Sequence, residues 1–190
     1  QGLELILVEA NPSKTGRPES ATVVVGRGTR LENNVTLMGR VTIGQFNHIF
    51  PGVVIGGEPQ DLSYRGSDTQ VVIGDHNIIR ESVTINRGSE KEDGVTSVGD
   101  GCYLMACCHV AHDCRVGNRV VIANGTLLGG HVHIDDYATI SGGTGVHHFA
   151  TIGGYSFVSG LSRVLQDVPP YMLVDGVPTR PRCINVVALK

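Results

Sequence analysis

Aliphatic residues recur every six positions through most of the chain. From Val98 the period runs unbroken through twelve positions: Val98, Leu104, Val110, Val116, Ile122, Leu128, Ile134, Ile140, Val146, Ile152, Val158 and Val164. Two shorter runs precede it: Val25, Leu31, Leu37, Ile43, Ile49 and Ile55, then Ile73, Ile79 and Ile85. A small residue often follows four positions later. A six-residue period fits neither a helix nor a flat alternating strand, but it is typical of short strands joined by sharp corners.

The hexads predict an all-β fold, a parallel β-helix built from hexapeptide repeats. Each aliphatic side chain points inward, and three hexads make one triangular coil, so residues 18 apart stack about 4.8 Å apart on the same edge. We expect the β-helix over residues 21–168, after an irregular lead-in of residues 1–20 and before a Pro-rich C-terminal extension of residues 169–190. The period predicts the β-helix but not its hand.

Two polar segments interrupt the period. They are GGEPQDLSYRGSDTQ at residues 56–70 and NRGSEKEDGVTS at residues 86–97. Both are rich in glycine and acidic residues, which indicates loops that leave the coil at its corners. Functional residues of solenoid proteins concentrate in such loops.

Composition excludes some functions and suggests a compartment. A net charge of −3 without a basic block gives no reason to expect nucleic-acid binding, and no apolar run approaches membrane-spanning length. Five cysteines without a secretory signal favour free thiols in a reducing compartment, and therefore the cytoplasm. Cys102, Cys108 and Cys114 all occupy the fifth position of a hexad. We interpret them as small buried side chains; thiol chemistry or metal binding is the alternative.

Histidines recur at one corner of the predicted coil. Val110, Leu128 and Val146 are 18 residues apart and begin the same edge of three successive coils. We expect one vertical column there, containing His112, His131 and His147 together with Asp113, Gly130 and His148, with His109 beside the same edge. A single surface histidine is usually only a solvated side chain, whereas a column at a prism corner favours a function.

This corner carries the groups that direct acyl transfer requires. An imidazole with a pKa near 6.5 can take a proton from a hydroxyl at physiological pH. A carboxylate such as Asp113 can fix its tautomer, and Gly130 lets a backbone N–H approach a developing oxyanion. These groups need no cofactor, and they need no Ser or Cys nucleophile if the acceptor attacks directly.

Four motifs connect the chain to a known family. HVAHDCRVGN, IRESVTINRG, GGEPQDLSYRG and QDVPPY together resemble the acyl-carrier-protein–UDP-N-acetylglucosamine O-acyltransferases, within the left-handed hexapeptide acyltransferase superfamily. The resemblance implies a left-handed β-helix, a homotrimer, and transfer of a 3-hydroxyacyl chain from acyl carrier protein to UDP-N-acetylglucosamine, which starts lipid A synthesis. It also implies a C-terminal helical domain, which we expect to be absent or truncated here.

The resemblance also assigns roles to individual residues. His112 matches the general base, Asp113 its partner and Gly130 the oxyanion donor. Substrate contacts fall on a further set: Gln60, Asp61, His109, His131, His147, His148, Gly160 and Asn185. Among these, Gly160 matches a chain-length stop, where glycine implies a longer acyl chain, and Asn185 matches a residue near the nucleotide.

The sequence departs from the family at three positions. Ser63 replaces a common lysine, Val187 a common glutamate, and His148 a glutamine that often follows the third cleft histidine. The first two changes concern recognition of the nucleotide sugar and not the base.

Two other functions remain open from the sequence. A zinc-dependent hydratase similar to the gamma-class carbonic anhydrases would use the same corner, but its third ligand would fall at Gly153, so we expect no metal. A non-catalytic β-helix scaffold is the other alternative.

Overall fold

The computed structural model describes residues 22–189, so the expected lead-in of residues 1–20 lies outside the described residues. Those residues form 23 strands and no helix, and they therefore contain no helical segment of membrane-spanning length. The strands are arranged in three sheets that form the faces of a prism.

Most strands are only two residues long, as expected when a corner follows every hexad. Sheet 1 contains β1 (Thr22–Val25), β4 (Arg40–Ile43), β7 (Gln70–Ile73), β10 (Val95–Val98), β13 (Arg115–Val116), β16 (His133–Ile134) and β19 (Thr151–Ile152). Sheet 2 contains β2 (Arg30–Leu31), β5 (His48–Ile49), β8 (Ile78–Ile79), β11 (Tyr103–Leu104), β14 (Val121–Ile122), β17 (Thr139–Ile140), β20 (Phe157–Val158), β22 (Met172–Asp175) and β23 (Arg180–Ile184). Sheet 3 contains β3 (Thr36–Leu37), β6 (Val54–Gly57), β9 (Thr84–Asn86), β12 (His109–Val110), β15 (Leu127–Leu128), β18 (Gly145–Val146) and β21 (Arg163–Val164).

The register of the sheets confirms the predicted coil of three hexads. Val110 pairs with Leu128, and Leu128 pairs with Val146, in parallel. Among the described strands only β22 and β23 pair antiparallel. The coil therefore places residues that are far apart in sequence directly above one another.

Two coils are longer than the others because loops leave them. Arg40 pairs with Gln70, and Gln70 pairs with Val95, so each pairing encloses more chain than the three hexads between Val110 and Leu128. The first excursion loop, residues 58–69, lies between β6 and β7. The second excursion loop, residues 87–94, lies between β9 and β10.

Aliphatic side chains fill the interior of the prism. Ile122, Ile140 and Val158, on successive coils of sheet 2, are each 0% exposed. Burying each such side chain contributes about 1.5–3 kcal/mol, so the repeat supplies its own core.

The hexad cysteines belong to this interior, as predicted. Cys102, Cys108 and Cys114 are buried and free. Burial raises the pKa of the Cys102 thiol to about 11 and those of Cys108 and Cys114 to about 12. Thiolate is therefore scarce at neutral pH, which disfavours nucleophilic or metal-binding roles for them.

The corner between sheets 3 and 1, the site corner, turns through a left-handed residue in successive coils, as the other two corners of the prism also do. Asp113, His131 and Phe149 stand there on successive coils with φ of 60°, 62° and 63°. L-residues other than Asn and Asp rarely adopt this left-handed conformation, which costs about 1–2 kcal/mol. The sharp turn points these three side chains away from the strands and toward one another.

Candidate active site

His112 and Asp113 form a buried pair at the site corner. His112 Nδ1 lies 2.8 Å from Asp113 Oδ2, and the two residues are 8% and 0% exposed. A carboxylate only accepts hydrogen bonds, so Nδ1 of His112 carries the proton. Nε2 is then left as the basic nitrogen of the ring.

Further hydrogen bonds fix the Asp113 carboxylate. The Ser89 N–H donates to Oδ1 over 2.8 Å, and the Ser89 hydroxyl donates to Oδ2 over 2.6 Å. The Asp113 N–H donates to Thr96 Oγ1 over 2.8 Å. With His112, the carboxylate therefore accepts three hydrogen bonds and has little freedom to rotate.

His131 lies directly beside this pair. Its ring centroid is 5.1 Å from that of His112 in an edge-to-face arrangement, and the ring stacks on Phe149 at 4.4 Å. His131 Nδ1 bonds Glu92 Oε1 at 2.7 Å, and its Nε2 lies 3.7 Å from Asp113 Oδ2. Two imidazoles and two carboxylates thus alternate across the corner.

Gly130 lies against the face of the His112 ring. A Cβ built on Gly130 would lie 2.6 Å from His112 Cε1, so only glycine fits at this position. Its N–H, the predicted oxyanion donor, donates to His148 Nδ1 over 3.1 Å. The His148 ring must turn away before that N–H can stabilise an oxyanion.

The three predicted histidines do not form a single column, because the register separates them. Leu128 is level with Val146, so His147 continues the position of Gly129, one step away from the position that Gly130 and His148 share. His147 is exposed, and its ring contacts that of His148 at 5.1 Å. The offsets of two, three and one place the imidazoles in three neighbouring columns, and only His112 and His131 are in ring contact.

His109 lies one step before the corner, on β12. Its Nδ1 bonds Thr84 Oγ1 at 2.7 Å. Burial, with a smaller contribution from the neighbouring His112, lowers the pKa of His109. The ring is therefore neutral at physiological pH and can donate or accept one hydrogen bond in the cleft.

The first excursion loop, with Gln60 and Asp61, is connected to the second by an ion pair. Asp61 Oδ2 lies 2.6 Å from Lys91 Nζ, while Oδ1 accepts from both N–H and Oγ of Ser63 at 2.8 Å. The hydrogen bond from Lys91, with smaller contributions from those of Ser63, holds the pKa of Asp61 well below its usual range. Lys91 of the second loop thus places a positive charge beside Asp61, whereas Ser63 in the first loop carries no charge. Gln60 is exposed.

The remaining predicted residues lie outside this cluster. His147 and His148 line a groove of about 320 Å³ on the outer face of sheet 3, with Leu127, Gly145 and Arg163. Gly160 stands at the exposed corner between sheets 2 and 3, where an added Cβ would lie 3.3 Å from Gly142 O. Asn185 follows β23, and its side-chain amide donates to the Tyr155 carbonyl over 2.8 Å.

His112, Asp113 and His131 have ligand atoms within 4.8 Å of one another, the spacing a metal ion would need. An ion there would compete with the three hydrogen bonds that Asp113 already accepts. At the position of the third ligand in the zinc hydratases, a Cβ on Gly153 would lie 2.7 Å from Pro170 Cδ. The chain has no room for that ligand, which disfavours the hydratase alternative.

Known proteins are similar to this chain in both sequence and architecture. The profile of the family described as Bacterial transferase hexapeptide (six repeats) matches residues 96–130. An acyl-[acyl-carrier-protein]–UDP-N-acetylglucosamine O-acyltransferase of Verminephrobacter eiseniae is 49% identical over 152 residues, covering 80% of this chain and 58% of the relative. The structure of a UDP-N-acetylglucosamine acyltransferase from Francisella novicida has a TM-score of 0.86 at 45% identity, over 88% of this chain and 62% of that one.

A third comparison covers more of the relative. A UDP-N-acetylglucosamine acyltransferase from Bacteroides fragilis is 34% identical, with a TM-score of 0.83 over 97% of this chain and 76% of that one. The chain belongs to the UDP-N-acetylglucosamine acyltransferase family. Its β-helix is left-handed, as the resemblance implied. The chain spans 56–58% of the length of the curated members of this acyltransferase family that it matches.

Sequence reasoning missed four residues of the candidate site. The six-residue period could have indicated Phe149, because Phe149 lies one coil of three hexads after His131. Ser89, Lys91 and Glu92 lie in a loop that the sequence marked as an excursion from the coil. No periodic signal indicates which residues of such a loop fold back onto the corner.

Proposed function

We propose that the protein transfers a 3-hydroxyacyl chain from an acyl carrier protein to the 3-position of UDP-N-acetylglucosamine, the first step of lipid A biosynthesis. The observation that carries the proposal is the His112–Asp113 pair at 2.8 Å, which leaves Nε2 of a largely buried imidazole as a base beside Gly130. The names of the relatives supply the acyl donor and the sugar acceptor.

The reaction needs only groups that this corner provides. Nε2 of His112 accepts the proton of the sugar hydroxyl as its oxygen attacks the thioester carbonyl carbon. The Gly130 N–H stabilises the oxyanion once His148 has released it. The carbon–sulfur bond then breaks, and the thiolate of the carrier takes the proton from His112. Asp113 stabilises the imidazolium between these steps, and no cofactor takes part.

Substrate contacts are proposed on both sides of the base. Gln60 and Asp61 would meet the sugar from the first excursion loop, and His109, His131 and His147 would bind polar groups in the cleft. We place the acyl chain in the groove lined by His147 and His148. We propose Gly160 as the chain-length stop on the resemblance alone. We propose a nucleotide contact at Asn185, in the C-terminal extension of residues 169–190, because the family resemblance assigns that role to this position.

We further propose a homotrimer with active sites between subunits. Leu127 and Phe149 flank the site corner and are 56% and 69% exposed, which favours burial against another copy.

The division into a β-helix of residues 21–168 and an extension of residues 169–190 also stays a proposal. Five free cysteines fit a reducing compartment, so we place the reaction in the cytoplasm.

An acyl-transfer assay with His112→Ala tests the function. We expect turnover to fall by roughly 10²-fold or more, because a general base is lost. The matched control is His76→Ala, since that ring is exposed and stacks on Phe46 away from the site. The assay would use UDP-N-acetylglucosamine, its 3-amino analogue and acyl donors of several lengths. Near-normal turnover in His112→Ala would contradict the proposal, and zinc at one ion per chain would instead support the hydratase.

A further inference from the structure

The second excursion loop does not behave like a solvated insertion. Ser89 is 1% exposed, although it lies in a polar segment that leaves the coil. The loop contacts both imidazole–carboxylate units at the site corner, through Ser89 on one side and Glu92 on the other. A loop that only bridged two strands would not need to bury a hydroxyl against a carboxylate.

Ser89 determines the orientation of Asp113. Its N–H and hydroxyl bind the two oxygens separately, at 2.8 and 2.6 Å, so the carboxylate plane is fixed. Only then does Oδ2 face His112 Nδ1. Asp113 is fully buried, so water cannot readily replace a lost hydroxyl donor.

Glu92 does the same for the second imidazole. It is the only residue of the described chain with a hydrogen bond to the His131 ring, at 2.7 Å to Nδ1. The side chain of His131 is 5% exposed and that of Glu92 is 32% exposed, so the carboxylate holds a buried ring from the rim of the site. The proton is placed on Nδ1, and the Nε2 lone pair is left on the side of Asp113.

We propose that Ser89 and Glu92 are positioning residues that fix His112 and His131 in the same tautomer, with the proton on Nδ1 and Nε2 available. The inference rests on the proposed function for its effect on turnover. Neither residue touches the reacting atoms. Ser89 acts through Asp113, and Glu92 acts on the orientation of His131, so one loop sets the orientation of both rings.

Four variants test this assignment in the full chain. Ser89→Ala removes the hydroxyl donor and Ser89→Thr restores it, while Glu92→Ala removes the acceptor and Glu92→Gln keeps an acceptor oxygen. Glu90→Ala is the matched control, because Glu90 lies in the same loop but binds the Arg65 N–H. We expect kcat to fall about tenfold in each alanine variant at position 89 or 92, with KM within about twofold, and to recover in the conservative variants.

Nitrogen-15 NMR of histidine-labelled protein provides a readout that needs no turnover. We expect both rings of the wild type to carry the proton on Nδ1, with a mixture of tautomers for His112 in Ser89→Ala and for His131 in Glu92→Ala. Unchanged tautomers in both variants, or an Nε2–H ring in the wild type, would overturn the inference. Absence of acyl transfer by the wild type would refute the proposed function alone, and the spectra would still decide this one. If Ser89→Ala does not fold, Glu92→Ala still tests the assignment through the tautomer of His131.

Discussion

At the scale of single residues, Asp113 has several structural roles at once. It turns the chain at a corner with φ of 60°, it is fully buried, and it accepts hydrogen bonds from Ser89 and His112. Aspartate tolerates the left-handed conformation better than most residues, because its short polar side chain bonds locally. The same backbone turn that closes the hexad thus directs a carboxylate at the imidazole. Asn at this position would suit the turn but would present an amide to His112.

His109 illustrates how burial at this corner affects stability. Because burial lowers its folded pKa below the unfolded value of about 6.5, the unfolded chain binds more protons as the pH falls through this range. The contribution of His109 is therefore fully present above about pH 6.5 and is lost as the pH falls through the folded pKa.

We expect the free energy of unfolding to fall between pH 7.5 and pH 5, and His109→Asn to reduce that fall. Urea denaturation of both proteins at the two pH values measures it, and the values at pH 7.5 serve as the internal reference. An equal fall in the two proteins would show that His109 does not contribute.

At the scale of elements, the coil and the loops have different physical origins. A coil forms because inward aliphatic side chains stack on their counterparts in the coils above and below, and each hexad repeats the same requirement. The excursion loops have no such repeat, and they are held by particular polar contacts such as Lys91 with Asp61. Core substitutions should therefore cost stability, whereas loop substitutions should affect the site.

Ile122→Ala tests the first half of this distinction. Ile122 is 0% exposed, so the substitution leaves a cavity between neighbouring coils and should lower the free energy of unfolding by about 2–5 kcal/mol. Val121→Ala is the control, because its side chain points outward from the same strand, β14. Chemical denaturation should show a much smaller change for that variant. A similar loss for both would mean that the hexad interior does not dominate stability.

The sequence predicts the coil better than the site, because the coil repeats one burial requirement whereas the contacts of the loops do not repeat. Val110, Leu128 and Val146 identify one edge of the prism from spacing alone, and this placed Asp113 and Gly130 at the right corner. The offsets of one to three residues after that edge decide which side chains meet. His147 lies one residue from the position of His112 and two residues from that of His131, so it falls outside the cluster, and Phe149 stacks on His131 instead.

At the scale of the whole molecule, a single chain leaves apolar side chains and a groove exposed to solvent around the site corner. Leu127 and Phe149 are exposed, and the groove on sheet 3 is open to solvent on its outer side. A second copy packed against this corner would close the groove and exclude water from the candidate site.

We expect light scattering to give a solution mass three times that of the 20.2 kDa chain. Leu127→Glu should dissociate the trimer, because it places a charge in the buried contact, whereas Val187→Glu should not. Val187 is 79% exposed and lies in the C-terminal extension. A monomer of 20.2 kDa for the wild type would contradict the trimer.

The sequence by itself determined the parallel β-helix, the length of its coil and the corner that carries His112, Asp113 and Gly130. These features follow from a periodic requirement to bury one aliphatic side chain in each hexad, and that period is visible in the sequence. Only the tertiary structure decided that Ser89 and Glu92 contact that corner and that His147 lies outside the cluster. It also decided that the Gly130 N–H donates a hydrogen bond to His148. Those outcomes depend on single hydrogen bonds between segments of no common period, and such contacts exist only once the chain has folded.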